Sequence, residues 1–314
     1  MKIVLLESLA IAPEHLETYA QALRQGGHTF EAYERSADPA VQIERVKDAD
    51  ILMLANMPLS GEVIRACKQL KFINVAFTGV DHIDLAACRE MGVQVSNASG
   101  YSTQSVAELA LGLMLALLRN VPQVDARCRA GQTKDGLVGC ELSGKTVGIV
   151  GLGAIGQRTA ALCHAFGCRI IAFNPRPKQA ADYIEQLPLH DVLAQSDILS
   201  LHCPLKDDTR RLIGQAELAQ MKKNALLINT ARGSVVDSAA LAEALNSGNL
   251  AGAGIDVFES EPPLNPQHPL LSAKNTIVTP HVAFATRESM LLRAKIVFET
   301  LDAYLHGERR NVIL

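Results

Sequence analysis

The chain has no tryptophan and only 8 Phe and 5 Tyr in 314 residues. That scarcity argues against base-stacking platforms and aromatic sugar-binding floors. Neither charge sign is in excess: 30 Lys and Arg stand against 33 Asp and Glu, for a net charge of -3. A broad basic surface for nucleic acid and an acidic solvating tail are both excluded. Long apolar runs are also missing. The longest, 109–118, is too short to span a bilayer and lies inside a helical pattern, so no membrane partner is expected. Residues 1–15 carry one Lys before a short apolar stretch, but Glu7 follows at once and no small-residue cleavage site closes it. They read as a first strand, not a signal peptide. The seven cysteines (67, 88, 128, 140, 163, 168, 203) form no CxxC pair. Reduced thiols in a cytoplasmic protein, with no metal site, are the expectation.

What is present is a rhythm. Apolar residues make up 48% of the chain and charged ones 20%, enough for sizeable cores, and the length implies two domains. Short apolar segments at 2–6, 51–55, 72–76, 93–96, 146–150, 169–173, 198–201, 226–228, 253–256 and 276–278 lack period-2 alternation. Strands covered on both faces read this way. Helical patterns separate them, so the fold class is α/β, with parallel sheets and helical crossovers. The segment 103–119 is apolar nearly all round and is expected to be buried, between domains or at an interface. After it, 121–142 is polar with weak periodicity, and a fresh strand starts at 146. A boundary near residue 100 follows, with domains 1–100 plus 284–314 and 101–283, the last helical segment (288–305) returning to the first domain.

Gly151, Gly153 and Gly156 stand in G-x-G-x-x-G spacing after the strand 146–150 and open a helical pattern. In this context the first glycine permits the tight turn and the second admits a pyrophosphate. The third lets helix pack on strand, and amides near Ala154 and Ile155 face the anion. The second strand of this region ends at Asn174-Pro175-Arg176-Pro177-Lys178, where a carboxylate for the ribose diol of NAD is usual. Asn174 can bond a hydroxyl but does not repel a 2′-phosphate, and Arg176 and Lys178 could attract one or simply be solvated. NAD and NADP both remain open.

Three polar signatures lie at strand ends: 229–233 with Arg232, 254–263 with Asp256 and Glu261, and 279–286 with His281. Each has an ordinary structural alternative when taken singly. Together, in this order behind the glycine loop, they resemble the D-2-hydroxyacid dehydrogenase family. The segments 77–84, 97–108, 201–205 and 301–312 extend the likeness over essentially the whole chain. Ser99 and Asn174 depart from the family's usual Pro and Asp, and only the second bears on cofactor choice.

The resemblance implies two Rossmann-like doubly wound domains, one substrate-binding and flavodoxin-like, the other NAD(P)-binding, with an active-site cleft between them. It implies a catalytic triad of Arg232, Glu261 and His281. His281 would exchange a proton with the substrate oxygen, Glu261 would favour its imidazolium, and Arg232 would hold the substrate carboxylate or carbonyl. The backbone at Thr78 and Gly79 would receive the carboxylate. His202, Cys203, Pro204, Thr209, Thr230 and Ala231 would line the cofactor, with Asp256 at the nicotinamide carboxamide. A homodimer is also implied. The reaction expected is reduction of a small 2-keto acid to a (D)-2-hydroxy acid with NAD(P)H. The stretch 281–286 favours hydroxypyruvate or glyoxylate, and the sequence, ending at Leu314, is read as lacking a regulatory amino-acid-binding domain. A D-3-phosphoglycerate dehydrogenase-like enzyme and a nicotinamide-sensing corepressor-like binding protein are the alternatives.

Overall fold

Strands that are apolar on both faces must be covered on both faces, and that requirement organises the chain into two α/β units. A computed structural model describes residues 1–260 and 263–314. One unit comprises Met1–Ser102 and Ala285–Leu314, the other Thr103–Phe284.

The first unit is built on β1 (Lys2–Leu5), β2 (Thr29–Ala32), β3 (Ile51–Leu54), β4 (Phe72–Val75) and β5 (Gln94–Asn97), all parallel, in the order β2-β1-β3-β4-β5. This is the flavodoxin-like order, with its topological switch between β1 and β3. At that switch the buried carboxylate of Glu7 accepts hydrogen bonds from the Ala55 and Met57 amides at 2.8 and 2.7 Å, fixing the loop after β3. The final helix, Arg287–Leu305, belongs to this unit. Phe298 stacks on Tyr19 and Tyr304 on Phe72, both with ring centroids 4.1 Å apart, and the buried Asn74 amide donates to the Val297 carbonyl. The last residues then run along β5, where Val95 donates to Leu314 and Ile313 donates back to Val95.

The second unit contains β6 (Thr146–Val150), β7 (Arg169–Phe173), β8 (Ile184–Gln186), β9 (Ile198–Leu201), β10 (Leu226–Asn229), β11 (Gly252–Ile255) and β12 (Thr276–Val278). Its parallel sheet has the order β12-β11-β10-β9-β6-β7-β8, the Rossmann order extended by one strand. The switch point lies between β6 and β9. The helix Thr103–Leu118 packs across β10, β11 and β12, its buried face including Val106, Ala110, Leu113 and Met114. Glycines make room for it: a Cβ at Gly254 would lie 2.9 Å from Leu113 Cβ, and one at Gly252 would lie 3.2 Å from Leu117. Its apolar character is thus matched by the sheet of its own unit. The following helix, Val121–Arg129, buries no residue, and the segment after it exposes Val138.

Two strands escape the apolar-run criterion. β2 reads Thr-Phe-Glu-Ala and β8 reads Ile-Glu-Gln; each sits at the edge of its sheet, next to only one other strand. Edge strands are not wrapped on both sides and need no continuous apolar sequence. Among the described residues, no single helix is long and apolar enough to cross a membrane.

Candidate functional site

The carboxyl ends of the strands in the second unit carry the sequence signatures, and the glycine loop is the first of them. Gly151 has φ +99, and a Cβ there would come within 2.8 Å of the His202 carbonyl and the Cys203 amide nitrogen. Gly156 is tighter still: its Cβ would lie 2.0 Å from the Gly151 carbonyl oxygen. These two glycines let β6, the loop after β9 and the helix Ala154–Ala165 close on one another. Gly153 differs, since a Cβ there would meet nothing within 4 Å. It is the N-cap of that helix and contributes no side-chain acceptor. Open space over uncapped amides at the positive end of a helix suits a pyrophosphate.

Around this loop two buried polar atoms have no hydrogen-bond partner among the described residues: Thr230 Oγ1 after β10 and His202 Nδ1 after β9. Buried polar atoms without partners are rare and call for one. A nicotinamide dinucleotide fits this set, with Gly153 and the helix amides at its phosphates and Thr230 and His202 further along the edge. His202 Nε2 lies 2.9 Å from Ser200 Oγ. Cys203 is buried, and burial pushes its thiol up to about 11, so it is a packed thiol without nucleophilic character. Pro204 and Thr209 shape the loop: the Thr209 hydroxyl donates to the Pro204 carbonyl at 2.7 Å and accepts from the Lys206 amide.

Burial holds the His202 imidazole down at about 4, against an ordinary 6.5. The folded state therefore keeps the ring neutral while the unfolded chain takes up a proton. Stability is intact above the ordinary value and is lost as pH falls from there towards the folded value. Between pH 7 and 5 this one group should remove about 2 kcal/mol of unfolding free energy. Denaturant unfolding of wild type and His202→Asn at both pH values checks this; equal pH sensitivity in the two proteins would contradict it.

The next three strands end in the polar signatures. β10, β11 and β12 are adjacent and parallel, so the residues that follow them emerge side by side within about 10 Å. After β10, the buried Asn229 clasps its own loop: Oδ1 accepts from Ala231 N and Nδ2 donates to the Arg232 carbonyl. Arg232 Nη1 donates to the Ala231 carbonyl at 2.8 Å. Gly233 is indispensable here, because a Cβ would overlap the Phe258 backbone at 1.9 Å. After β11 comes Asp256, wholly buried. Its Oδ1 accepts from Thr279 Oγ1 at 2.6 Å and Val282 N at 2.8 Å, and its Oδ2 accepts from Ala283 N at 2.9 Å. After β12, His281 adopts a left-handed backbone with φ +56. Its amide donates to the Asp256 carbonyl at 2.7 Å and to that of Thr279 at 3.0 Å. Its ring meets Phe284 edge-on, with centroids 5.4 Å apart.

One hydrogen-bonded chain of residues therefore joins Arg232 to His281: Asn229 Nδ2 to the Arg232 carbonyl, Asp256 N to the Asn229 carbonyl, and His281 N to the Asp256 carbonyl. Glu261, the expected third member of the triad, lies outside the described residues. In the first unit, Thr78 and Gly79 follow β4; Asn97 Nδ2 donates to the Thr78 carbonyl at 2.7 Å and Ser102 Oγ lies 3.4 Å from Thr78 Oγ1.

Two side chains expected at the cofactor are engaged with the protein itself. Asp256 spends its carboxylate on the 279–283 turn. Asn174 accepts from the Leu152 amide at 3.1 Å and donates to the Arg176 carbonyl at 2.6 Å. Asn229 and Thr279, which the sequence motifs do not mark as functional, hold the loops in place. Their signal is positional: each is a polar residue at the end of a strand, two or three positions before a candidate catalytic side chain.

Comparison with known proteins agrees with this architecture. Residues 111–283 match the NAD binding domain of D-isomer specific 2-hydroxyacid dehydrogenases. The chain is 37% identical over 295 residues to a glycerate dehydrogenase of Methylorubrum extorquens, covering 91% of this chain and 92% of that one. It is 38% identical over 312 residues to a glyoxylate reductase of Aeropyrum pernix, covering 95% and 91%. A glyoxylate reductase structure from Paecilomyes thermophila superposes with a TM-score of 0.90 at 30% identity, covering 100% of this chain and 98% of that one. Against a D-3-phosphoglycerate dehydrogenase of Methanocaldococcus jannaschii the identity is 42% over 278 residues, but the chain spans only about half of that protein's length (53%). The chain belongs to the D-isomer-specific 2-hydroxyacid dehydrogenase family, oxidoreductases that act on CH–OH groups with a nicotinamide cofactor.

Proposed function

We propose that this chain interconverts a small 2-keto acid and the corresponding (D)-2-hydroxy acid, with hydroxypyruvate or glyoxylate as the keto acid. The observation that supports this most is the delivery of Arg232 and His281 to one sheet edge by β10 and β12, which flank β11, tied through Asn229 and Asp256. Glycerate dehydrogenase and glyoxylate reductase relatives matching over nine-tenths of their length support the substrate class.

Bound nicotinamide supplies or accepts the hydride at the substrate's C2. The protein's work is to hold the acid and manage one proton. Arg232 pairs its planar guanidinium with the substrate carboxylate and stabilises charge developing on the carbonyl oxygen. The backbone amides at Thr78 and Gly79 are further candidates for binding the substrate carboxylate. His281, as imidazolium, gives the oxygen its proton in reduction and, as the neutral ring, removes it in oxidation. Glu261 is its partner, favouring the charged ring. The carboxylate of Asp256 stabilises the turn that aims the imidazole and stays out of the proton path.

Initial-rate assays with hydroxypyruvate, glyoxylate, pyruvate, 3-phosphohydroxypyruvate and bulkier keto acids, followed by nicotinamide absorbance with each cofactor, test the reading. Absence of turnover with every pair would overturn it. Arg232→Lys keeps the charge but loses the fork. We expect kcat/KM for the keto acid to fall about tenfold or more, the worth of one charge-assisted hydrogen bond, and an unaltered ratio would contradict the role.

The helix Val121–Arg129, which buries no residue and begins at the exposed Val121, together with the exposed Val138 in the segment after it, offers a surface for a second copy of the chain, and a homodimer is the assembly we propose. All seven cysteines are free, as suits a reducing cytoplasm.

A further inference from the structure

Resting on the dinucleotide-binding reading above, we infer that residues 174–178 form a 2′-phosphate-binding turn and that the chain uses NADP(H) in preference to NAD(H). The turn follows β7, the strand next to β6, and so stands beside the glycine loop where the adenosine ribose of a bound dinucleotide is read. An acidic residue in this position selects a free 2′-hydroxyl, and a nearby cation accommodates a phosphate.

Asn174 does more than omit a negative charge. Its Oδ1 accepts from the Leu152 amide inside the glycine loop, and its Nδ2 donates to the Arg176 carbonyl. A carboxylate could replace the first bond but has no hydrogen for the second, so an asparagine is the side chain that closes this turn. The other end is closed in the same manner. The side-chain amide of Gln186 accepts from the Lys178 amide at 3.0 Å and donates to the Lys178 carbonyl at 2.7 Å. Pro175 and Pro177 flank Arg176 and fix the backbone on both sides of it.

The turn is therefore ordered while its charges are left outward. Arg176 and Lys178 are exposed, and neither side chain has an ion-pair partner among the described residues. The carboxylate of Glu185, on the neighbouring edge strand, is taken by Arg169 at 2.6 Å. Two unneutralised cations on a braced loop are not the by-product of a basic surface, because the chain as a whole carries a net charge of -3. They match a phosphate monoester of charge about -2. Because the backbone is already fixed, little ordering of the loop opposes binding.

Calorimetric or fluorescence titration with NADPH and NADH tests this without turnover. Wild type should bind NADPH about tenfold or more tightly than NADH, the gain expected from a charge-assisted contact. Rising salt should weaken NADPH more than NADH. In the double variant Arg176→Ala/Lys178→Ala, where both side chains are exposed, NADPH affinity should fall about tenfold or more while NADH affinity stays put. Asn174→Asp should also erase the preference. Equal binding, a preference for NADH in wild type, or a double variant that weakens both cofactors alike would overturn the phosphate-binding turn and leave the dehydrogenase reading standing. Failure of both dinucleotides to bind would overturn the two together.

Discussion

His281→Asn should lower turnover in both directions by about 10²–10⁴-fold, the contribution of a positioned acid–base group, while leaving dinucleotide affinity unchanged. The choice of asparagine matters. His281 sits at φ +56, a left-handed conformation in which asparagine is among the best tolerated non-glycine residues. The amide bonds to the Asp256 and Thr279 carbonyls then survive, and what is removed is the imidazole alone. Steady-state rates in both directions, with dinucleotide titration as the control, are the measurement. Retention of wild-type turnover would show that the substrate's proton travels by another route.

Asp256→Asn should cost about 10²-fold in kcat, the penalty of a catalytic group misplaced by about 1 Å, with little change in thermal stability. Its two carboxylate oxygens accept three hydrogen bonds from the turn that holds His281. An amide can keep the bonds at one oxygen but sets an N–H against another N–H, at either Ala283 or Val282. The aim of His281 should suffer. Stability follows a different sign. Burial pushes the Asp256 carboxyl above the usual carboxylate range, partly offset by its hydrogen bonds and the attraction of His281. A group whose folded value is raised favours folding when protonated, and that contribution is lost as pH rises through the folded value. The ionised form of Asp256 is thus a burden on folding, and removing its charge relieves part of what the lost acceptor costs. Melting temperature and kcat measured on the same variant separate the two effects. Equal loss of both would mean that Asp256 serves the fold and has no particular tie to His281.

The features legible in the sequence share a cause. Central strands such as β3, β4 and β10 are wholly buried and mostly apolar because helices cover both faces, and burial on that scale leaves an unmistakable composition. The glycine loop is legible because Gly151 and Gly156 have no room for a Cβ, a constraint written directly into residue identity. Edge strands β2 and β8 were illegible, since one open side relaxes the apolar requirement. The inward turn of Asn174 was illegible too: an amide can bond a ribose or a backbone equally well, and only the positions of Leu152 and Arg176 settle which.

The α/β class, the glycine loop and the candidate acid–base and anion-binding side chains are legible in the residues alone, because steric and burial constraints act on single residues and their near neighbours. Long-range packing is what sets β10, β11 and β12 side by side, commits the Asp256 carboxylate to the His281 turn, and joins Arg232 to His281 by one run of hydrogen bonds. Strand order and hydrogen-bond partners depend on segments dozens of residues apart, and no local pattern encodes which of several equally apolar strands will be neighbours.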